Sequence, residues 1–277
     1  MSFKIVSDSS SNVCCVDGIS YKAVPLKIYM GDTEYVDSPE LDAIKMMEQI
    51  NQSSEKTSTS CPNIYDWIEA FGDAKEVFAI TISSNLSGSY ISAKNAANEY
   101  LALHPDAKVC VIDSLSAGPE MHLIIDKIKE LHNERKSFDE IKTEIDKYRQ
   151  NISLFFCLSS LDNLAKNGRI NMAIAKISKI IGIWVIGKAS DDGRLQLLHK
   201  CRGKIKSLNK IVDEMSNHGF KNKKVIISHS DNIADATELK DKIEKQFVGA
   251  EVFIEKNGGL CSYYAELGGM IIGFVCN

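Results

Sequence analysis

The side chains best suited to chemistry in this 277-residue chain are hydroxyls, gathered in four places. Ser7-Asp8-Ser9-Ser10, Ser83-Ser84-Asn85-Leu86-Ser87-Gly88 and Asp113-Ser114 each follow a short apolar run, and Lys56-Thr57-Ser58-Thr59-Ser60-Cys61-Pro62 precedes the amphipathic stretch that carries Trp67. In the most informative stretch, a continuous apolar run over residues 77–82 breaks into hydroxyls before a helical pattern begins. Beyond the carboxyl ends of strands in an open α/β sheet, backbone N–H groups at a helix start favour anions. Serine hydroxyls there could hold a carboxylate or a phosphate. Ser and Asn also cap helices wherever helices begin, so capping alone would account for each cluster taken singly. A parallel sheet would place the three strand ends on one edge and join the clusters into a polar pocket floor.

The elements needed to position such a floor are legible in outline. Residues 3–6, 77–82 and 108–112 read as strands, as do residues 23–29, with Pro25 pointing to a sheet edge. Helical patterns occupy residues 41–49, 63–71, 88–103, 118–133 and 138–149. This alternation indicates crossover units and a largely parallel sheet covered by helices, a three-layer α/β domain over residues 1–150. After Arg149 the pattern changes. Residues 153–158 read as a strand, 160–164 as a helical turn and 171–181 as a helix, and 183–189 and 194–200 form a hairpin across Asp191-Asp192-Gly193. A helix at 203–218, strand at 225–229, helix at 233–247, strand at 251–255 and a helix-like 266–274 complete an α+β second domain over residues 151–277.

Composition excludes several classes. Hydrophobic residues make up 44% and charged residues 25% of the chain, the balance of a globular protein. A net charge of −4 gives no general attraction for nucleic acid, and the lysine-rich 200–210 stretch reads as a solvated helix face. The eight cysteines include no Cys-x-x-Cys pair and the six histidines no metal-binding spacing, so reduced thiols and no metal are expected. The start of the chain does not read as a secretory signal, and the apolar runs are too short to span a bilayer, which places the protein in the cytoplasm. Ser87 lacks the Gly-x-Ser-x-Gly turn of a hydrolase nucleophile, having Asn85 and Ser89 at the glycine positions, and neither glycine-rich nucleotide fingerprint occurs. An enzyme acting on a small carboxylated or phosphorylated substrate at the hydroxyl-rich edge remains the alternative, with no nucleophile–base pair to name.

Six stretches in order, IVSDSSSNV, VPLKIYMGDTEYVDSPELD, KTSTSCP, ISSNLSGSY, VIDSLSAG and LAKNGRI, span essentially the whole chain. In them the chain resembles the DegV family. The resemblance implies a two-domain fold with a long-chain fatty acid, such as palmitate, stearate or oleate, in a tunnel between the domains. It implies a lipid-binding carrier in lipid metabolism and not a self-contained enzyme, with no catalytic residue and no cofactor besides the bound lipid. Some family members present the acyl carboxylate to a separate fatty acid kinase protein, so a kinase subunit and a transient membrane contact are the partners it brings into view. Carboxylate-holding hydroxyls match Thr57 or Ser58 and Ser87, with Gly88 beside it. Arg169 matches the family's glycine-arginine motif, as a cation at the mouth of the site or toward a partner; alone it would read as a surface charge. Arg202 fits a second arginine position. Apolar lining would come from residues 154–158, 172–181, 183–186 and 270–274. The departure lies at Gly258–Gly269, where Tyr264 stands in place of a histidine and Glu266 in place of a glycine. A phenol can still donate to a carboxylate but does not become a cation, and an inward-pointing Glu266 would repel an acyl phosphate.

Overall fold

The computed structural model of the chain describes residues 2–172 and 182–276. Its first half is built on a four-stranded, wholly parallel sheet in the order β2-β1-β6-β7, formed by β1 (Phe3–Asp8), β2 (Ser20–Val24), β6 (Glu76–Thr81) and β7 (Lys108–Asp113). The central strand β6 is apolar along most of its length because helices cover both faces, which removes the polar alternation of a one-sided sheet. On one face lie α2 (Ile64–Phe71) and α3 (Ser89–Leu103), burying Trp67, Phe71, Ala93, Ala96 and Tyr100. On the other lie α4 (Pro119–Asn133) and α5 (Phe138–Tyr148), burying Ile124, Ile128, Ile141 and Ile145. Capping boxes fix the starts of α2, at Asn63 and Asp66, and of α5, at Ser137 and Glu140.

A small antiparallel sheet, in the order β4-β3-β5, comprises β3 (Lys27–Met30), β4 (Thr33–Val36) and β5 (Thr57–Ser60), with α1 (Ala43–Gln52) between β4 and β5 in sequence. Two sequence expectations change here. The predicted strand over 23–29 is two strands in different sheets, divided at Pro25, which lacks the N–H that a continuing ladder needs. The polar stretch read as a loop before Trp67 is β5, whose threonines and serines alternate between two faces of an edge strand.

The second half forms a six-stranded mixed sheet in the order β10-β9-β8-β13-β11-β12. Its strands are β8 (Ile152–Leu158), β9 (Ile183–Ala189), β10 (Leu195–Arg202), β11 (Lys224–His229), β12 (Glu251–Lys256) and β13 (Met270–Val275). Three helices, α6 (Asp162–Lys166), α7 (Lys204–Asn217) and α8 (Ile233–Gln246), follow β8, β10 and β11. Leu208, Ile211, Met215, Leu239 and Ile243 of α7 and α8 pack on Phe155 and Phe274. The expectation of a helix at 266–274 is corrected. A short helix, α9 (Gly259–Ala265), precedes it, and residues 270–275 are β13 in the middle of the sheet. An uninterrupted run such as Met-Ile-Ile-Gly-Phe has no periodicity to separate a buried strand from a helix. Gly273 has a packing reason: a Cβ there would lie 2.8 Å from the backbone N of Glu120, so α4 could not approach β13. α4 thereby touches β6 of the first sheet and β8, β11 and β13 of the second, a layer common to both halves. The helix expected over 171–181, with its apolar lining, lies almost entirely outside the described residues.

Candidate functional site

The carboxyl ends of β1, β6 and β7 do gather on one edge, but most of their polar groups are spent on one another. Asp8 is fully buried and accepts the backbone N–H of Ile82 at 2.9 Å and the hydroxyl of Ser89 at 2.6 Å, and Ser10 donates to its other oxygen. Burial pushes its carboxyl up, with these donors pulling the other way. Ser7 shares its hydroxyl with Ser11 at 2.9 Å and Tyr21 at 2.7 Å. Ser83 donates to the Gly193 carbonyl at 2.7 Å and the Asn85 side chain to that of Asp192 at 2.6 Å, which docks the β9–β10 hairpin onto the end of β6. These clusters are therefore scaffold and not a continuous polar floor.

What the scaffold holds open is a mainly apolar cavity between the halves. Leu26, Ile82, Leu86 and Ala117 line it from the first half, and Leu154, Phe156, Leu158, Leu164, Leu195 and Ile271 from the second. α9 adds Leu260, Cys261, Tyr264 and Ala265. Thr59, Ser87, Tyr264 and Arg169 supply side-chain polarity, and among the described lining residues Arg169 alone is charged.

Each of these groups is positioned by local structure. The turn after β6 folds back on itself, with Leu86 and Ser87 N–H groups on the Ser83 carbonyl at 2.9 and 3.0 Å, and Gly88 caps α3 without a side-chain hydrogen bond. Arg169 follows Gly168, whose φ of +73° turns the chain out of α6. Its Nε donates to the Leu86 carbonyl at 3.0 Å, its Nη1 to the Asn167 carbonyl, and its guanidinium carbon lies 5.9 Å over the Tyr264 ring. The Tyr264 hydroxyl is 2.7 Å from Thr59 Oγ1. Burial pushes its phenol up, while Thr59 and Arg169 pull it down, so it remains a protonated donor at neutral pH. Beside it, Tyr263 donates to Thr57 Oγ1 at 2.7 Å and accepts from Asn167 Nδ2 at 2.8 Å. Burial pushes the Cys261 thiol well up, and it donates to the Ser10 carbonyl at 3.3 Å. No histidine or carboxylate lines the cavity among the described residues, so the arrangement can hold an apolar chain with an anionic end but offers no base to a nucleophile.

A family profile described as "Uncharacterised protein, DegV family" matches residues 2–276. The chain belongs to the DegV family. A DegV domain-containing protein of Streptococcus pneumoniae strain R6 is 37% identical to it over 278 residues, with 99% of each chain covered. Among solved structures, a DegV family protein from Eubacterium eligens loaded with heptadecanoic acid is 40% identical, with a TM-score of 0.98 over 99% of this chain and 100% of that one. The Streptococcus pneumoniae Fatty Acid Kinase (Fak) B3 protein loaded with linoleic acid is 37% identical, with a TM-score of 0.98 and 100% of both chains covered.

Of the residues singled out in the sequence, Ser87, Tyr264 and Arg169 line the cavity of this DegV protein and Gly88 caps the adjoining helix. Thr57 is tied to Tyr263, one residue from the lining. Ser58 is exposed and does not line the cavity, because alternation along β5 sends it to the face opposite Thr57 and Thr59. Thr59 is the hydroxyl the sequence reading missed. Treating Thr57-Ser58-Thr59-Ser60 as a strand would have found it, since i and i+2 share a face. Arg202 ends β10, exposed and outside the cavity. Glu266 does not line the cavity. Its carboxylate accepts the Asn163 N–H at 3.1 Å at the start of α6, and burial pushes it up. Its φ of +57° with ψ of 170° is a backbone conformation that suits glycine.

Proposed function

We propose that this DegV-family protein binds one long-chain fatty acid, its chain in the apolar cavity and its carboxylate among Thr59, Ser87, Tyr264 and Arg169. The observation that carries the reading is a narrow set of donors, with one cation, beside walls made almost wholly of Leu, Ile, Phe and Ala. Fourteen methylenes leaving water contribute on the order of 11 kcal/mol gross, so the chain supplies the affinity and the donors set its orientation. The fatty-acid-loaded structures from Eubacterium eligens and Streptococcus pneumoniae support the same occupant. We further propose that the protein is a carrier, presenting its lipid to a kinase subunit; the likeness to the Fak B3 protein supports this. Glu266, bound to α6 and not lining the cavity, leaves the charge objection to an acyl phosphate without force. The reading includes a domain boundary near Gln150, where the strands of the parallel sheet give way to the mixed one. It also includes a cytoplasmic location, for which eight unpaired cysteines speak, and transient membrane contact during loading. Titration of delipidated protein with palmitate and oleate, with mass spectrometry of organic extracts, tests the ligand. Saturable binding at one site per chain is expected, and folded protein that binds neither lipid would refute the proposal.

A further inference from the structure

α9 is a wall of two spaces. Cys261 and Tyr264 face the lipid cavity, whereas Gly259 and Ser262 line a separate cleft of mixed polar and apolar character. That cleft opens where the parallel strands β11 and β12, joined by the crossover helix α8, end side by side with His229 and Lys256 as register partners. Open α/β sheets collect ligands at this place, beyond the carboxyl ends of parallel strands and before a helix start. α8 is a 14-residue helix that begins at Ile233 with no side-chain cap, which leaves its first N–H donors available.

A second, independent feature points to a ligand. His229 is only 4% exposed yet lines the cleft. Its Nδ1 accepts the Asn232 N–H at 3.0 Å, which puts the ring proton on Nε2, and among the described residues no acceptor meets that Nε2–H. Burial and the Lys256 charge pull its pKa down against Asp231, so the ring is a neutral donor near pH 7. Ser230, 2% exposed, accepts Asn257 Nδ2 at 3.0 Å, and its own hydroxyl hydrogen meets no acceptor among the described residues. Both donors lie at the wall of the cleft, where a ligand can reach them, near the ammonium group of Lys256. Asp37, Asp42 and Asp231 also line the cleft and oppose an anion with their charge. Asp37 accepts from Ser9, Gly259 and Leu260 at 2.8, 2.6 and 3.1 Å and Asp42 accepts the Lys45 N–H at 3.0 Å, while Asp235 in the first turn of α8 is paired with Lys204.

We propose that this cleft is a second ligand site that takes a small tetrahedral oxyanion of the phosphate class, held by His229 Nε2–H, the Ser230 hydroxyl, Lys256 and the first amides of α8. The proposal does not depend on what fills the lipid cavity. The test is titration of the isotopically labelled full chain with inorganic phosphate at constant ionic strength, following the His229 ring nitrogens by NMR. A saturable shift of His229 is expected, weakened about tenfold by Lys256→Gln, which removes one charge-assisted contact from an exposed position. His229→Gln should weaken it as well. A parallel titration with glycerol 3-phosphate separates sources: tighter binding of the ester assigns the site to a phosphomonoester, and equal or weaker binding assigns it to free phosphate. A His229 shift that chloride reproduces, or a folded Lys256→Gln protein that titrates as the parent does, overturns the proposal.

Discussion

Tyr264→Phe removes one oxygen from the polar end of the lipid cavity and leaves nearly everything else in place. The ring keeps its edge contact with Tyr263, at 4.9 Å between centroids, and its place 5.9 Å beneath the Arg169 guanidinium. What is lost is a phenol 2.7 Å from Thr59 Oγ1. As a neutral hydrogen bond that contact is worth about 0.5–1.5 kcal/mol of stability. As a donor to a carboxylate in a poorly solvated site the same hydroxyl is worth about 1.5–3 kcal/mol, a roughly ten- to hundredfold change in dissociation constant. Affinity should therefore fall further than stability. Calorimetric titration of delipidated protein with oleate near pH 7.5 measures the first quantity and urea unfolding the second. Thr59→Val and the double variant complete a cycle, and because both hydroxyls serve one carboxylate the double variant should cost less than the sum of the singles. Tyr264→His should introduce a pH dependence around 6.5 that the parent lacks, since the parent phenol stays protonated there. A Phe variant that binds oleate as tightly as the parent while losing stability would reduce Tyr264 to a structural tie between α9 and β5.

Two further outcomes test the scaffold. Gly193 has a φ of +76°, and a Cβ there would lie 2.3 Å from Ser83 Oγ and 2.9 Å from the Leu115 backbone; Gly193→Ala should cost on the order of 2–3 kcal/mol in urea unfolding, partly restored by Ser83→Ala, and a variant of parental stability would contradict the docking of the hairpin on β6. Burial pushes the Glu120 carboxyl up to about 7, against the pull of the Ser116 hydroxyl and Arg149. A raised folded value stabilises fully below the unfolded pKa near 4.5 and is lost as pH rises through about 7, so Glu120 should cost the fold on the order of 3 kcal/mol between pH 5 and 8. Glu120→Gln should flatten that slope, measured as the urea midpoint at both pH values, and an unchanged slope would place the titration elsewhere.

Local pattern determined a good deal of this protein. The alternation of apolar runs with helical periodicity in the first 150 residues specified a parallel sheet with helices on both faces, because covering both faces leaves no other way to bury β6. The Asp191-Asp192-Gly193 turn specified a hairpin, and Ser87, Gly88, Arg169 and Tyr264 could be picked out because family motifs preserve order along the chain. Partner choice was not available to the sequence. That Ser83 and Asn85 meet carbonyls some 110 residues away, and that Asp8 and Asp37 organise a turn and a helix start instead of a ligand, are matters of which groups find each other once the sheets pack. The strand at Met270–Val275 was hidden for the same reason: a uniformly apolar run takes its conformation from the neighbours that receive its hydrogen bonds, here β8 and β11, and not from its own periodicity. Thr59 displaced Ser58 because strand pairing with β3 sets the faces of β5, and pairing is decided between segments far apart in sequence.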